Sequence, residues 1–326
     1  MTASGVVFLF PGQGSQKVGM GKALAEQWPE ARAVFAEADA ALGFSLSHLC
    51  FAGPEAELTL TANAQPAILT TSIAALRVLQ KETDLRPVAV AGHSLGEYSA
   101  LVATGALALA DAVRLVNLRG RFMQEAVPAG VGGMAAIIGL LPADIEAVCA
   151  EASAAVSGQF VSPANYNGGG QVVVAGHKSA VDAACVAAKA RGAKMAKPLA
   201  VSAPFHCALM QPAADRLAIE LGKVAVKTPS VPVVSNVEAT PYQDAARVRD
   251  LLVRQVTAPV RWEESVLHLA SQGIAAGIEV GAGNVLAGLI KRIAPGLTVQ
   301  AAGDPESIQS LRQASRTDGQ QEARHG

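Results

Sequence analysis

Short apolar segments alternate with longer amphipathic segments along this chain, and this alternation predicts an α/β fold. Apolar and β-branched runs predict strands at 6–10, 88–91, 134–138, 161–167, 171–175, 194–201, 231–235 and 277–280. Apolar residues at helical spacing predict helices at 20–41, 67–79, 142–155 and 179–191. Strands separated by helices favour a mostly parallel sheet that is covered on both faces.

The middle of the chain has a different pattern. A glycine-rich segment at 130–133 precedes predicted elements in the order β-α-β-β-α-β, which is typical of a ferredoxin-like unit. We therefore expect a large α/β-hydrolase-like subdomain from residues 1–128 and 201–314, with a small ferredoxin-like subdomain inserted at 129–200. The polar segment 315–326 has no apolar periodicity and predicts a disordered tail.

Composition favours a large globular protein. Of 326 residues, 51% are hydrophobic and only 16% are charged, so the chain can bury an extensive core. The formal net charge of −1 gives no whole-chain preference for nucleic acid or for an anionic membrane. The longest apolar helix candidate, at 101–116, contains Asp111 and Arg114, so we interpret it as a buried helix and not as a membrane span.

Two features indicate a cytoplasmic protein. The four cysteines have no C-x-x-C spacing and are too sparse for a disulfide framework, which is typical of a reducing compartment. The first residues lack a basic segment, and Pro11-Gly12 interrupts the first apolar run, so we expect no signal peptide.

The most informative motif is Gly92-His93-Ser94-Leu95-Gly96, which directly follows the predicted strand at 88–91. This G-x-S-x-G pattern is typical of a nucleophile elbow, in which a sharp strand-to-helix turn exposes the serine hydroxyl. The following helix points backbone N–H groups at the group that the serine attacks. We therefore expect Ser94 to attack a carbonyl carbon in an acyl-transfer reaction. On these five residues alone, an ordinary tight turn is the alternative.

A nucleophilic serine needs a base that accepts its proton. Among the histidines, His206 is the best candidate because it lies in a loop after a predicted strand, where catalytic groups of α/β folds collect. A structural loop histidine is the alternative for this residue. His93 adjoins Ser94, and we expect it to shape the turn. We expect His48 and His268 to lie in further helices, His177 in the inserted subdomain and His325 in the tail.

Further motifs follow one another in a recognisable order, at 10–16 (Phe-Pro-Gly-Gln-Gly-Ser-Gln), 65–67, 92–98, 119–120, 132–136, 165–167, 176–177, 204–206, 255–262 and 279–283. With these motifs the chain resembles the malonyl-CoA:acyl carrier protein transacylases of type II fatty acid synthesis. The resemblance covers about residues 5 to 312.

The resemblance implies a role for each matched residue. Ser94 would carry the malonyl group as an ester, and His206 would act as the general base. The backbone N–H groups of Gln13 and Leu95 would form the oxyanion hole.

The remaining implied roles concern binding and orientation. Arg119 would bind the free malonyl carboxylate, and its planar fork matches a carboxylate with two parallel hydrogen bonds. An acceptor near Gln255 would orient the histidine, and Asn165 would be a polar residue close to the site.

The expected reaction is a ping-pong transfer of malonyl from malonyl-CoA to the phosphopantetheine thiol of acyl carrier protein. It requires no metal and no redox cofactor, and we expect a monomer. One alternative is a trans-acting malonyl transferase of a polyketide synthase. A serine hydrolase is another, although no Asp or Glu stands out as the third member of a triad. A non-catalytic scaffold is the last.

Overall fold

The computed structural model of the chain describes residues 5–201 and 203–322, with the side chains of the last helix described as far as residue 315. The strands are β1 (Val6–Phe10), β2 (Pro87–Gly92), β3 (Gly132–Ile138), β4 (Val161–Gly168), β5 (Gln171–His177), β6 (Met195–Pro198), β7 (Val233–Val234), β8 (Pro241–Tyr242), β9 (Ala276–Val280) and β10 (Thr298–Ala302). The helices are α1 (Lys22–Gln27), α2 (Pro29–Leu42), α3 (Leu46–Ala52), α4 (Glu55–Thr59), α5 (Thr61–Glu82), α6 (Gly96–Ala103), α7 (Leu109–Glu125), α8 (Pro142–Ala155), α9 (Lys178–Ala190), α10 (Gln211–Gly222), α11 (Ala245–Thr257), α12 (Trp262–Ser271), α13 (Val285–Ile293) and α14 (Pro305–Glu322).

The larger sheet has six strands in the order β10-β9-β1-β2-β7-β8. All neighbouring strands are parallel except β7 and β8, so the prediction of a mostly parallel sheet is confirmed. Alternate residues of β1 point to opposite faces, where Phe8 and Phe10 join one apolar core and Val7 and Leu9 join another. Helices therefore cover both faces of the sheet.

The smaller sheet has four strands in the order β4-β5-β3-β6, and all of its neighbouring strands are antiparallel. Helices α8 and α9 pack on it, and together they enclose a separate apolar core. This β-α-β-β-α-β unit confirms the predicted combination of a parallel sheet with a ferredoxin-like unit. The chain enters this unit soon after α7 and leaves it just before the loop that carries His206.

One local prediction needs correction. The predicted helix at 20–41 is divided into α1 and α2 by Trp28, whose backbone is extended because Pro29 follows it and restricts the preceding residue.

Within the predicted tail at 315–326, the backbone of α14 continues to Glu322. The disorder expected for this polar segment stays a prediction. Residues 323–326 lie outside the described residues.

None of the helices within the described ranges is both long enough and apolar enough to cross a membrane.

The contact between α5 and α7 depends on an irregularity in α5. Pro66 lies inside this helix and has no N–H, so the carbonyl of Ala62 loses its helical donor. The Asn117 side chain of α7 replaces that donor, with Nδ2 2.8 Å from the Ala62 carbonyl oxygen. Gly120 allows the close approach, because a Cβ there would lie 2.6 Å from the Thr61 carbonyl oxygen. The result is a fixed register between the two helices.

Replacing Asn117 with alanine should destabilise the protein, because the Ala62 carbonyl then lacks a protein donor. We expect a loss of about 1–2 kcal/mol in the free energy of unfolding, measured by urea denaturation. Asn63→Ala is the matched control, since its Nδ2 also donates to a backbone carbonyl, that of Glu57, but at an exposed position. Equal losses in the two variants would contradict this account of the helix contact.

Candidate active site

The candidate site lies at the carboxyl ends of β1 and β2, where parallel α/β sheets bind their ligands. A cavity of about 220 Å³ opens there between the two sheets. Its floor comes from the large sheet and the helices around it, including Gln13, Gln65, Ser94, Arg119 and His206. Its opposite wall comes from the inserted unit and includes Met134, Asn165, Asn167 and Val173.

The turn between β2 and α6 has the strained geometry of a nucleophile elbow. Ser94 has a φ of 50°, which places a non-glycine residue in the left-handed region. The turn also packs tightly against the end of β1, because a Cβ on Gly96 would lie 2.1 Å from the Phe10 carbonyl oxygen. Glycine at this position therefore keeps the Ser94 turn beside the Gln13 loop.

The side chain of Asn236 stabilises this strained turn from the opposite side. Its Oδ1 accepts a hydrogen bond from the Ser94 N–H at 2.6 Å, and its Nδ2 donates to the Gly92 carbonyl at 2.6 Å. Both contacts are with the main chain, so they fix the backbone conformation of the elbow. Strained residues of this kind persist where neighbouring groups over-determine them.

Ser94 and His206 form a nucleophile–base pair, with 2.8 Å between Ser94 Oγ and His206 Nε2. The other ring nitrogen, Nδ1, lies 2.8 Å from the backbone carbonyl oxygen of Gln255. Since a carbonyl oxygen can only accept, Nδ1 carries the proton and Nε2 presents its lone pair to the serine. The acceptor that orients the histidine is therefore a neutral main-chain group of Gln255.

The environment of His206 strongly favours the neutral imidazole. Burial, together with the positive charge of Arg119, lowers the pKa of His206 from its ordinary value of 6.5 to about 3. A neutral ring can accept a proton, so the histidine is in the correct form for a general base at neutral pH.

Arg119 extends from α7 into the same site and is only 2% exposed. Its Nη1 donates to Gln65 Oε1 at 2.6 Å, and its Nη2 donates to Gln255 Oε1 at 3.0 Å and to Ser94 Oγ at 3.1 Å. No carboxylate in the described ranges forms a salt bridge with this guanidinium group. The site therefore holds a buried cation beside the nucleophile, and its protein partners are neutral.

The remaining predicted residues also lie at this site. Within the described part of the chain, the N–H groups of Gln13 and Leu95 have no protein acceptor, so both are available to a ligand oxygen. Asn165 lies in β4 and lines the cavity, held by a bridge between this strand and Val260. His93, expected to shape the turn, has its Nε2 2.9 Å from Asn167 Oδ1.

Three important residues were not assigned a role from the sequence: Asn236, Gln65 and Glu97. Asn236 holds the elbow, Gln65 contacts Arg119, and Glu97 accepts a hydrogen bond from Gln255. Gln65 and Glu97 stand inside motifs that the sequence analysis noted, next to Pro66 and after the elbow, so their positions carried a signal. Asn236 stands in no motif, so the sequence carried no signal of its role.

A strained serine, a neutral histidine and an available pair of N–H groups at one cavity define an acyltransferase or hydrolase of the serine type. The comparisons with known proteins identify the family. The chain belongs to the acyl transferase domain family, whose model matches residues 7–314.

Individual relatives are more specific than the family model, because they share one enzyme name. The chain is 54% identical to the malonyl CoA-acyl carrier protein transacylase of Salmonella typhimurium, over 92% of this chain and 96% of the relative. It is 49% identical to the protein of the same name from Bacillus subtilis, over 94% of this chain and 96% of the relative. Among solved structures, the malonyl CoA-acyl carrier protein transacylase of Coxiella burnetii has a TM-score of 0.92 at 45% identity, covering 95% and 97% of the two chains. A malonyl-transacylase in complex with a type II PKS acyl-carrier protein has a TM-score of 0.92 at 48% identity, covering 95% and 100%.

The lowered pKa of His206 can be measured directly by NMR titration of histidine-labelled protein. We expect the ring to stay neutral as the pH falls through 6.5, because protonation begins only near its lowered pKa of about 3. In an Arg119→Met variant the nearby positive charge is lost, so the pKa of His206 should rise, while burial keeps it below 6.5. A midpoint near 6.5 in the unmodified protein would refute this electrostatic account.

Proposed function

We propose that this enzyme transfers malonyl from malonyl-CoA to the phosphopantetheine thiol of acyl carrier protein, through a malonyl ester on Ser94. The observation that carries the proposal is the 3.1 Å distance between Arg119 Nη2 and Ser94 Oγ. A buried guanidinium so close to the nucleophile selects an acyl group that itself bears a carboxylate. The names of the curated relatives support the same substrates.

The first half-reaction acylates the enzyme. His206 Nε2 takes the proton of the Ser94 hydroxyl while Oγ forms a bond to the thioester carbonyl carbon. The negative charge on the carbonyl oxygen develops toward the N–H groups of Gln13 and Leu95. The carbon–sulfur bond then breaks, and His206 returns the proton to the CoA thiolate.

The second half-reaction runs the same steps with a different thiol. The phosphopantetheine thiol gives its proton to His206, and its sulfur attacks the ester carbonyl carbon. The bond from carbon to Ser94 Oγ breaks, and His206 returns the proton to the serine oxygen. The Gln255 carbonyl keeps the imidazole in one tautomer through both halves.

Arg119 also couples substrate binding to the strength of the base. Its positive charge is one of the causes that lower the pKa of His206. A malonyl carboxylate bound to the guanidinium neutralises that charge, so the pKa of His206 rises when the correct substrate is present. The base therefore becomes stronger in the complex that needs it.

The proposal includes the partners and setting of the enzyme. Malonyl-CoA and acyl carrier protein are its substrates, and the reaction uses no metal or redox cofactor. The proposal also keeps the monomer that is expected from the sequence. Four free, buried cysteines support a reducing compartment, the cytoplasm.

Two alternatives to malonyl transfer in fatty acid synthesis are tested by experiment: transfer to a polyketide carrier protein, and hydrolysis. The similarity to a malonyl-transacylase in complex with a type II PKS acyl-carrier protein favours a polyketide carrier as a second candidate partner. Transfer assays with purified carrier proteins from both systems distinguish the two pathways. A serine hydrolase would release free malonate at the same rate with and without carrier protein.

Replacing Ser94 with alanine should abolish covalent labelling by radiolabelled malonyl-CoA, because the ester then has no oxygen to form on. Labelled protein is measured after denaturation and gel separation. Ser99→Ala is the control, since the Ser99 hydroxyl lies in the next helix without a hydrogen-bond partner in the described structure. Persistent labelling of the Ser94 variant would assign the nucleophile to another residue.

Replacing Arg119 with alanine should reduce kcat/KM for malonyl-CoA by about a hundredfold or more, because a buried charged contact is lost. Acetyl-CoA should be tolerated better relative to malonyl-CoA, since it has no carboxylate that needs the guanidinium. Arg121→Ala is the matched control, on the same helix but exposed. An unchanged ratio of malonyl to acetyl transfer would remove Arg119 from the acyl pocket.

A further inference from the structure

Glu97 is a fully buried carboxylate in the first turn of α6, three residues after the nucleophile. No lysine or arginine in the described ranges forms a salt bridge with it. Its Oε2 accepts hydrogen bonds from the Gln255 side-chain Nε2 at 2.8 Å and from the Asn236 N–H at 3.1 Å. Its Oε1 accepts from the Tyr242 hydroxyl at 3.1 Å. Burying an acidic group away from water costs free energy, so we expect a structural role for this carboxyl group in its hydrogen bonds.

The two donors to Oε2 are the residues that hold the site together. Asn236 fixes the elbow through the main chain on both sides of His93. Gln255 donates from Nε2 to the Ser94 carbonyl at 3.0 Å and accepts from Arg119 at its Oε1. One oxygen of Glu97 therefore connects the support of the nucleophile with the support of the cation.

The contacts of Gln255 distinguish the donor end of its carboxamide from the acceptor end. Its Nε2 lies between two acceptors, the Glu97 carboxylate and the Ser94 carbonyl, so its Oε1 is presented to the guanidinium of Arg119. If the carboxamide turned over, its amino group would face Arg119, and two donors would oppose each other. Glu97 supplies one of the two contacts that prevent this reversal.

We infer that Glu97 is a positioning residue that fixes the carboxamide of Gln255 and thereby sets the orientation of Arg119 for a carboxylate-bearing acyl group. The Glu97 side chain makes no hydrogen bond to Ser94, His206 or Arg119 within the described ranges, so its effect on the choice of acyl group passes through Gln255. The inference rests on the proposed role of Arg119 as the site of the malonyl carboxylate.

The surroundings of Glu97 favour an acceptor role that does not need a charge. Burial raises the pKa of Glu97 to about 7, and the hydrogen bonds from Asn236, Gln255 and Tyr242 and the charge of Arg119 oppose that rise. The buried Tyr98 also faces this group, and the pKa of Tyr98 is raised to about 12, so it stays neutral. When Glu97 is protonated, a proton on Oε1 can be donated to the Tyr242 hydroxyl oxygen, and Oε2 still accepts from Gln255. A glutamine at position 97 can make the same set of contacts.

The test compares Glu97→Gln with Glu97→Leu in the full-length enzyme, using kcat/KM for malonyl-CoA and for acetyl-CoA. We expect E97Q to keep the malonyl-to-acetyl ratio within about threefold, because its side-chain oxygen still accepts from Gln255. We expect E97L to lower that ratio by about tenfold or more, with a raised KM for malonyl-CoA. Tyr242→Phe is the matched control, since it removes a hydrogen bond from the same carboxylate but not the one to Gln255, and it should leave the ratio unchanged.

Folding is checked by thermal unfolding of each variant, and Glu97→Asp replaces E97L if the leucine variant does not fold. The shorter aspartate keeps an acidic group but withdraws its oxygens from Gln255, so the ratio should fall in the same direction. Equal loss of malonyl and acetyl transfer in the folded E97L or E97D variant would overturn the inference, as would a loss in E97Q as large as in that variant. If the unmodified enzyme does not prefer malonyl to acetyl, the proposed role of Arg119 fails instead.

Discussion

The structure of this site depends on a guanidinium group that is buried without a carboxylate in contact. Removing a cation from water costs several kcal/mol unless other groups replace its hydration. Here the replacement comes from the carboxamide oxygens of Gln65 and Gln255 and from the hydroxyl of Ser94. These neutral acceptors hold Arg119 in place without cancelling its charge. The positive charge therefore remains available to an anionic substrate, and it acts on His206 and Glu97 until that substrate arrives.

Several parts of the fold serve this one constraint. The register between α5 and α7, set by Pro66, Asn117 and Gly120, brings Gln65 to Arg119. Helix α11 supplies Gln255, whose side chain accepts from the arginine and whose main chain accepts from the histidine. The imidazole of His206 and the guanidinium of Arg119 thus both form a hydrogen bond to Gln255. The Gln255 carbonyl takes the place that an Asp or Glu has in a serine triad. A neutral group fits this place because the charge of Arg119 already favours the neutral form of the histidine.

The extent to which this site could be predicted from sequence follows from the range of each interaction. The elbow was predictable because its glycines and Ser94 lie within five consecutive residues and follow an apolar strand. His206 was predictable as a loop residue after a strand, and Arg119 and Gln255 gained their roles only from the resemblance to a known family. The roles of Asn236 and Glu97 depend on hydrogen bonds between residues 142 and 158 positions apart, which no local pattern encodes.

The inserted unit closes the cavity from the side opposite the nucleophile. The nucleophile, the base and the cation belong to the framework around the parallel sheet, whereas Met134, Asn165 and Val173 belong to the antiparallel sheet across the cavity. Met134 and Val173 lie outside the apolar core of the inserted unit and share a small apolar cluster with Cys207, which directly follows His206. The wall of the acyl pocket is therefore packed against the loop that carries the base. An architecture of this kind limits evolvability, because a change of Met134 or Val173 that admits a new acyl group also alters the packing beside His206.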